Sequence, residues 1–212
     1  MRIVPIAWKF FALSLFFFIL FLVLGWTPAA AMFLLIGSWT LYFFRDPTRI
    51  PPEGEGNVVS PADGKVDTIE VVDYAGFPDG KAIKVGIFLS IFDVHINRAP
   101  LKGRVAEMKY QHGSFLNAMN KDSSFQNENN LIVFETEQGP IQVKQIAGMI
   151  ARRIICSLKQ GENVERGEKI GLICFGSRTE IFLPTGAQLN VSCGMKVYGG
   201  TSILAVLLPK RF

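Results

Sequence analysis

The chain has 212 residues, of which 49% are hydrophobic and 19% charged, with a formal net charge of +4. That length accommodates one ordinary domain and an appendage. The charge is modest and no cluster alternates aromatics with base-reading Arg or Lys, which argues against a nucleic-acid partner, whereas a mildly basic chain suits an anionic membrane surface.

The apolar residues concentrate at the start. Phe10 to Leu24 is apolar apart from Ser14, Gly25-Trp26-Thr27-Pro28 interrupts, and Ala29 to Phe44 is apolar again. Each run falls slightly short of the roughly 20 residues that cross a bilayer. Together they predict a helical hairpin or a re-entrant wedge over residues 1–45, turning at the Gly/Pro break. Trp8, Trp26, Trp39 and Tyr42 suit interfacial positions. The basic start and Ala29-Ala30-Ala31 also fit a cleaved signal peptide, but a signal peptide has no need of the second run, so a retained anchor is expected. Arg2 and Lys9 precede the pair and Arg45 and Arg49 follow it. A hairpin with both ends cytoplasmic satisfies the positive-inside tendency, which places the rest of the chain on the cytoplasmic side of the cell (inner) membrane.

From residue 46 to 212 the pattern is mainly β. Short alternating runs at Val58–Ser60, Gly64–Val72, Ala82–Leu89, Gly103–Tyr110, Asn130–Glu135, Ile141–Ile146 and Ala151–Cys156 are broken by Gly, Pro, Asp and Asn. A helix is expected over Ser114–Lys121. The order implies antiparallel sheets and not βαβ units. Three cysteines, Cys156, Cys174 and Cys193, form an odd set without metal-ligand spacing and read as reduced thiols, with neither a disulfide framework nor a metal site expected.

Towards the C-terminus, Gly161-x-x-Val164-x-x-Gly167-x-x-Ile170 recurs as Gly194-x-x-Val197-x-x-Gly200-x-x-Ile203. Each unit reads as a tight turn joining two short strands. The pattern resembles the hairpins of biotinyl/lipoyl-type barrels (barrel-sandwich hybrids), although no lysine stands at a lipoyl or biotinyl tip.

Between the repeats lies Cys174-Phe175-Gly176-Ser177-Arg178, flanked by strand-like Ile170–Phe175 and Ile181–Leu183. Gly-Ser is a common turn pair. It is also a pair at which an N-to-O acyl shift can occur, because Gly lacks a Cβ and tolerates strain. Ester elimination would then turn the serine into a pyruvoyl ketone at a new chain end. On this pattern the pair sits in a turn at a barrel edge.

Other segments carry candidate chemistry. Ser60-Pro61-Ala62-Asp63-Gly64 reads as a turn, with Asp63 a carboxylate able to orient a base or accept a proton. The segment Leu89–Pro100 packs Asp93, His95, Asn97 and Arg98 closely. Strand alternation puts Asp93, His95 and Asn97 on one face and Val94, Ile96 and Arg98 on the other. Such polar groups are costly to bury without purpose. Arg152 and Arg153 are adjacent in an apolar segment, facing opposite ways, and suit a phosphate or carboxylate equally with solvent at a strand end. His112, before Phe115, reads as part of a loop or lid.

Phe43-Phe44-Arg45-Asp46-Pro47, Ser60–Gly64, Phe92–Pro100, Phe115–Ala118, Ala151–Ile155 and Phe175-Gly176-Ser177 occur in this order behind an anchor. Together they resemble the short (type A, archaeal-like) form of phosphatidylserine decarboxylase, a pyruvoyl-dependent lyase of phospholipid biosynthesis made as a proenzyme (zymogen). The resemblance implies self-cleavage between Gly176 and Ser177 into a β chain of residues 1–176 and an α chain of residues 177–212. These would form a heterodimer, with further assembly into a higher oligomer left open. Ser177 would become the pyruvoyl group, form a Schiff base with phosphatidylserine, and release CO2 and phosphatidylethanolamine. Asp63 matches an aspartate of a self-cleavage relay, and His95 matches a histidine linked to decarboxylation. Larger relatives carry a second histidine where this chain has Arg98, so the self-cleavage base is open between His95 and Asp63. Asn97, Arg98, Arg152, Arg153 and Phe115 are expected at the head group. The rival readings are a non-catalytic, membrane-tethered adaptor or carrier with a lipoyl-like barrel, and a relative acting on another aminophospholipid or a soluble amino acid.

Overall fold

The computed structural model describes residues 2–113, 127–148, 153–174 and 177–208, which form two compact units divided between Thr48 and Arg49. In the first unit, helix α1 covers Pro5–Val23 and helix α2 covers Thr27–Phe43, with a proline in the first turn of each. Pro is pre-organised for that position because its missing N–H would be unsatisfied there anyway. Gly25 closes the connection at φ +74°, a conformation open to glycine. A short antiparallel pair, β1 (Arg2–Ile3) with β2 (Arg45–Asp46), ties the ends of the hairpin together.

Apart from Phe43 and Phe44 at the end of α2, which are buried, the hairpin hides small residues and shows large ones. Ala7, Ser14, Ala30, Gly37 and Thr40 are buried, whereas Leu13, Phe16, Ile19, Val23 and Leu35 are exposed. Ser14 Oγ donates to the Phe33 carbonyl at 2.5 Å, and a Cβ on Gly37 would lie 3.3 Å from Ser14 Oγ. Close backbone approach through small residues is how helices pair where apolar burial gives no net drive. Only α1, with 19 residues, is long and apolar enough to cross a membrane among the described helices; at 1.5 Å per residue it spans about 28 Å. Helix α2 is a shorter apolar helix.

The second unit is antiparallel β throughout. Its strands are β3 (Asn57–Val59), β4 (Gly64–Asp73), β5 (Lys81–Leu89), β6 (Ile96–Arg98), β7 (Gly103–Gln111), β8 (Asn129–Thr136) and β9 (Gly139–Ile146). They continue as β10 (Ile154–Cys156), β11 (Asn163–Val164), β12 (Lys169–Ile173), β13 (Ser177–Leu183), β14 (Gln188–Leu189), β15 (Lys196–Val197) and β16 (Ile203–Val206). The large sheet runs β11-β7-β8-β9-β13-β5-β4-β15, and two three-stranded sheets, β10-β12-β6 and β14-β16-β3, complete the unit. The core lies between them: Val85, Ile87, Ile132, Phe134, Val143, Ile181 and Leu183 meet Val58, Ala99, Ile170 and Leu204.

The glycine repeat is built into the backbone. Gly161 N donates to Val105 O at 2.7 Å, and Gly194 N to Val66 O at 2.7 Å. Gly167 N donates to Ala99 O at 2.8 Å, and Gly200 N to Ser60 O at 2.8 Å. Val164 pairs with Gly103 as Val197 pairs with Gly64. Each repeat therefore docks on a Pro-x-x-Gly-x-Val strand start, Pro61–Val66 or Pro100–Val105, giving two halves with equivalent bonding.

Three local expectations are revised. Ser177 does not lie in a turn at an edge: β13 begins at Ser177, is buried along its length and runs centrally between β9 and β5. The strand expected through Asp93, His95 and Asn97 is limited to Ile96–Arg98, because Ser90–Asp93 closes a turn with Asp93 N donating to Ser90 O at 2.9 Å. Of the strand expected over Ala151–Cys156, Ile154–Cys156 is strand and Arg153 is not, while Ala151 and Arg152 lie outside the described residues. The helix expected over Ser114–Lys121 lies outside the described residues.

Candidate active site

The Ser60–Gly64 turn places the first carboxylate. Ser60 Oγ donates to Ala62 O at 2.6 Å, and the turn presents Asp63 inward. Asp63 Oδ1 accepts the Gly199 N–H at 2.7 Å and Oδ2 accepts Arg49 Nη2 at 2.7 Å. Burial pushes its carboxyl above the ordinary value, against the pull of Arg49 and the Gly199 amide; nearby Asp93 adds to the rise. The result is a carboxylate poised closer to proton exchange than an exposed one.

Asp93 is the opposite case. Its Oδ2 accepts the Ser90 amide at 2.9 Å and the Ser90 hydroxyl at 2.8 Å, and its Oδ1 meets Lys196 Nζ. Burial raises its pKa, but the bonds from Lys196 and Ser90 outweigh that and hold it below the ordinary value. Asp93 therefore stays ionised and fixes the turn before His95.

His95 is 1% exposed, and its Nδ1 lies 3.0 Å from the Asp93 carbonyl. A carbonyl can only accept, so Nδ1 carries the proton and Nε2 is the basic nitrogen. The His95 backbone also faces the segment that leads to Ser177. Ile173 N donates to His95 O at 3.1 Å, and Cys174 N donates to Arg153 O at 3.2 Å. Arg153 is exposed beside this segment, and burial raises the Cys174 thiol pKa despite it.

Asn97 joins the large sheet to the small one. Its Nδ2 donates to Pro61 O at 3.2 Å and to Thr179 Oγ1 at 3.0 Å, while Oδ1 accepts Gln145 Nε2 at 2.8 Å. Gln145 Oε1 in turn accepts Asn130 Nδ2 at 2.9 Å. Asn97, Gln145 and Thr179 are all fully buried. This relay fixes the strand that carries Ser177, two positions before Thr179 on the same face. Arg98 is 7% exposed and donates through Nη1 to Gly167 O at 2.9 Å. It lies between the two repeat turns, where a Cβ on Gly200 would come within 2.7 Å of its Cδ.

Ser177 is fully buried, and among the described residues its Oγ has no hydrogen-bond partner. An orphaned buried hydroxyl costs about 1–3 kcal/mol, so the Ser177 hydroxyl adds nothing to the stability of the fold. Of the expected site residues, Asn97 bonds to Thr179 on the strand of Ser177, and His95 and Arg153 bond through their backbones to Ile173 and Cys174 ahead of it, whereas Asp63 is held by Arg49 and Gly199 and Arg98 by Gly167. Gly176, Phe115 and Arg152 lie outside the described residues. Sequence reasoning missed Arg49, Gly199, Gln145 and Thr179; Arg49 had been read only as a charge flanking the anchor.

Comparison with known proteins decides the family. The phosphatidylserine decarboxylase family model matches residues 36–205, from within α2 to β16. The chain belongs to the phosphatidylserine decarboxylase family. It is 44% identical over 178 residues to a phosphatidylserine decarboxylase proenzyme of Desulfotalea psychrophila, covering 84% of this chain and 83% of that one. It is 42% identical over 212 residues to a proenzyme of the same name from Geotalea uraniireducens, covering 96% and 97%. Members of this family are carboxy-lyases.

Proposed function

We propose that the protein decarboxylates phosphatidylserine to phosphatidylethanolamine and CO2, using a pyruvoyl group made by cutting itself between Gly176 and Ser177. The observation that carries this reading is the buried, unpartnered Ser177 hydroxyl at the head of β13, in a chain of this family. In the cut, Ser177 Oγ bonds to the Gly176 carbonyl carbon and the peptide C–N bond breaks, leaving an ester. Loss of the Ser177 α-proton expels the ester oxygen as the Gly176 carboxylate. Water then replaces the nitrogen on residue 177, which leaves as ammonia, and a ketone remains. That ketone supplies an electron-withdrawing centre able to take the substrate amine.

The chain's own groups do the rest. Asp63 and His95 Nε2 are the proton carriers, the first with its pKa raised by burial and the second with its tautomer set by the Asp93 carbonyl. Exposed Arg153 suits the substrate carboxylate or phosphate. Arg152 and Phe115 are the other candidates for head-group contact. Asn97 and Arg98, buried with polar atoms engaged, act as positioning residues. The products of the cut, residues 1–176 and 177–212, stay together because β13 pairs with β5 and β9.

Residues 1–45 anchor the enzyme, with the catalytic part, 46–212, on the cytoplasmic side. The pattern of small residues buried and large apolar residues exposed supports a membrane environment, where the substrate resides. Intact mass and a lipid assay test the whole reading. The parent should yield two chains, the smaller starting at residue 177 and lacking an amino group, and should release CO2 from phosphatidylserine. Ser177→Ala should remain a single inactive chain of 23.5 kDa. Phosphatidylserine left untouched by a correctly cut enzyme would sink the substrate assignment.

A further inference from the structure

The residue after Ser177 is seated in a receptacle on the opposite face of the sheet. Arg178 is 4% exposed. Its Nε donates to Glu180 Oε1 at 3.0 Å, its Nη2 to Thr68 Oγ1 at 2.8 Å, and its Nη1 to Asp67 Oδ2. Neighbouring strands are shaped to admit it. The register of β4 on β5 shifts between Val66 and Thr68, so the bulge at Asp67 lets Asp67 and Thr68 both reach the guanidinium. Opposite Thr68 stands Gly86, where a Cβ would lie 2.2 Å from Arg178 Nη2. Any larger residue at position 86 would expel the guanidinium. Burying a guanidinium with carboxylates seldom gives net stability, so a site built to do it calls for a purpose.

The backbone gives the purpose. Arg178 pairs with Phe88 on β5 and with Ile146 on β9, whereas in the described ladders Ser177 pairs with Leu89 alone. Resting on the self-cleavage reading, the cut turns Ser177 from mid-chain into a chain end, and chain ends fray unless tied down. Before the cut, residue 177 is restrained from both directions along the chain. Afterwards the restraint comes through Arg178. We propose that Arg178 is a positioning residue that clamps the new end of the 177–212 chain, so that the ketone on residue 177 stays aligned after cleavage. Strand alternation points its side chain away from the reacting face, so it holds the ketone without touching substrate. The planar fork offers three separate nitrogens to three acceptors, whereas a lysine's three donors radiate from one nitrogen and cannot span the same positions.

The full-length parent, Arg178→Lys and Asp67→Asn are purified and compared by intact mass, by kcat and KM on phosphatidylserine vesicles, and by melting. Melting is repeated in the uncut Ser177→Ala background. We expect both variants to self-cleave, with kcat lowered at least fivefold in Arg178→Lys and KM within twofold of the parent. We expect Arg178→Lys to lower Tm more in the cut form than in the uncut form. If Arg178→Lys fails to fold, Asp67→Asn, whose side chain is 31% exposed and therefore more tolerant, must show the same pattern with at least a threefold loss. An uncut parent would overturn the self-cleavage reading and the clamp with it. A cut parent with smaller losses of kcat in the variants would overturn the clamp alone. Equal Tm losses in cut and uncut forms would reduce Arg178 to an ordinary buried ion pair and also overturn it.

Discussion

Replacing Asn97 by Leu tests whether the buried amide relay holds the strand of Ser177 or waits for a substrate head group. Asn97 makes three hydrogen bonds, to Pro61 O at 3.2 Å, to Thr179 Oγ1 at 3.0 Å and from Gln145 Nε2 at 2.8 Å. Pro61 O keeps a second donor, the Arg98 amide at 2.9 Å, and Thr179 can rotate its hydroxyl. Gln145 Nε2 has no such escape, because Gln145 is fully buried. The orphaned Gln145 amide costs about 1–3 kcal/mol, and the other two lost bonds about 1 kcal/mol each. Leucine returns about 1 kcal/mol through apolar transfer. The net loss is about 2–4 kcal/mol, or a fall in Tm of roughly 5–15 °C for a unit of this size. The assay is thermal unfolding in the Ser177→Ala background, so that cleavage does not blur the comparison. A head-group contact would behave differently, raising KM in the self-cleaved enzyme while leaving Tm near the parent's. A Tm within 2 °C of the parent (within about 1 kcal/mol) would refute the relay argument.

Asp63 carries a pH prediction with a defined sign. Its folded pKa lies above its unfolded value of about 3.9, so the stability it contributes is complete below that value and is lost as pH rises through the folded pKa. The Tm of the parent relative to Asp63→Asn should therefore fall from acid towards neutral pH; a rise would contradict the burial argument. Arg49→Met removes the ion pair at 2.7 Å, lifts the Asp63 pKa further, and should move the acid limb of any step requiring ionised Asp63 to higher pH. In α1, Phe16 and Val23 are 60% and 80% exposed. Substituting both with Asp should release the protein from membranes under alkaline extraction that leaves the parent bound, since a charge at a lipid-facing helix centre, as at Phe16, costs about 2.5–3.5 kcal/mol, and Val23, at the helix end, adds less.

Much of the fold was legible because it rests on local pattern. Alternating runs mark β4, β5, β7, β8 and β9, and the apolar runs around Gly25 mark α1 and α2, since periodicity reports which face is buried. Ser177 was misplaced because Gly-Ser carries a strong local turn signal. Its strand identity comes instead from non-local pairing with Leu89 on β5. Asp93 was assigned to a strand by alternation, but its side chain caps the Ser90 amide, a local bond that competes with the ladder. Arg49 and Gly199 were invisible as site residues because they reach Asp63 across 14 and 136 positions of chain. No spacing rule spans such separations. The Asn97–Gln145–Asn130 relay was missed for the same reason.

The two backbone halves also differ at the positions that the proposed chemistry would use. Asp63 and Lys102 occupy equivalent positions after Pro61 and Pro100, and Gly199 and Arg166 occupy equivalent positions in the repeats. Yet Lys102 is exposed, bonded to Glu165 at 3.0 Å with both side chains about 70% accessible, where an ion pair is worth little. Asp63 is 5% exposed and gripped by an arginine and a backbone amide. At the position of Gly199, Arg166 reaches outward to the Gly54 carbonyl at 2.6 Å. A glycine there is what lets the chain approach: a Cβ on Gly199 would come within 3.3 Å of Asp63 Oδ1 and 3.2 Å of the Ala62 carbonyl carbon. The repeated hairpins thus dock alike in both halves, while Lys in place of Asp and Arg in place of Gly leave one half without a buried carboxylate at this position. Ser177 lies on β13, which Asn97 ties through Thr179 to Pro61 of the half that holds Asp63, so the two halves differ within a nearly symmetric frame.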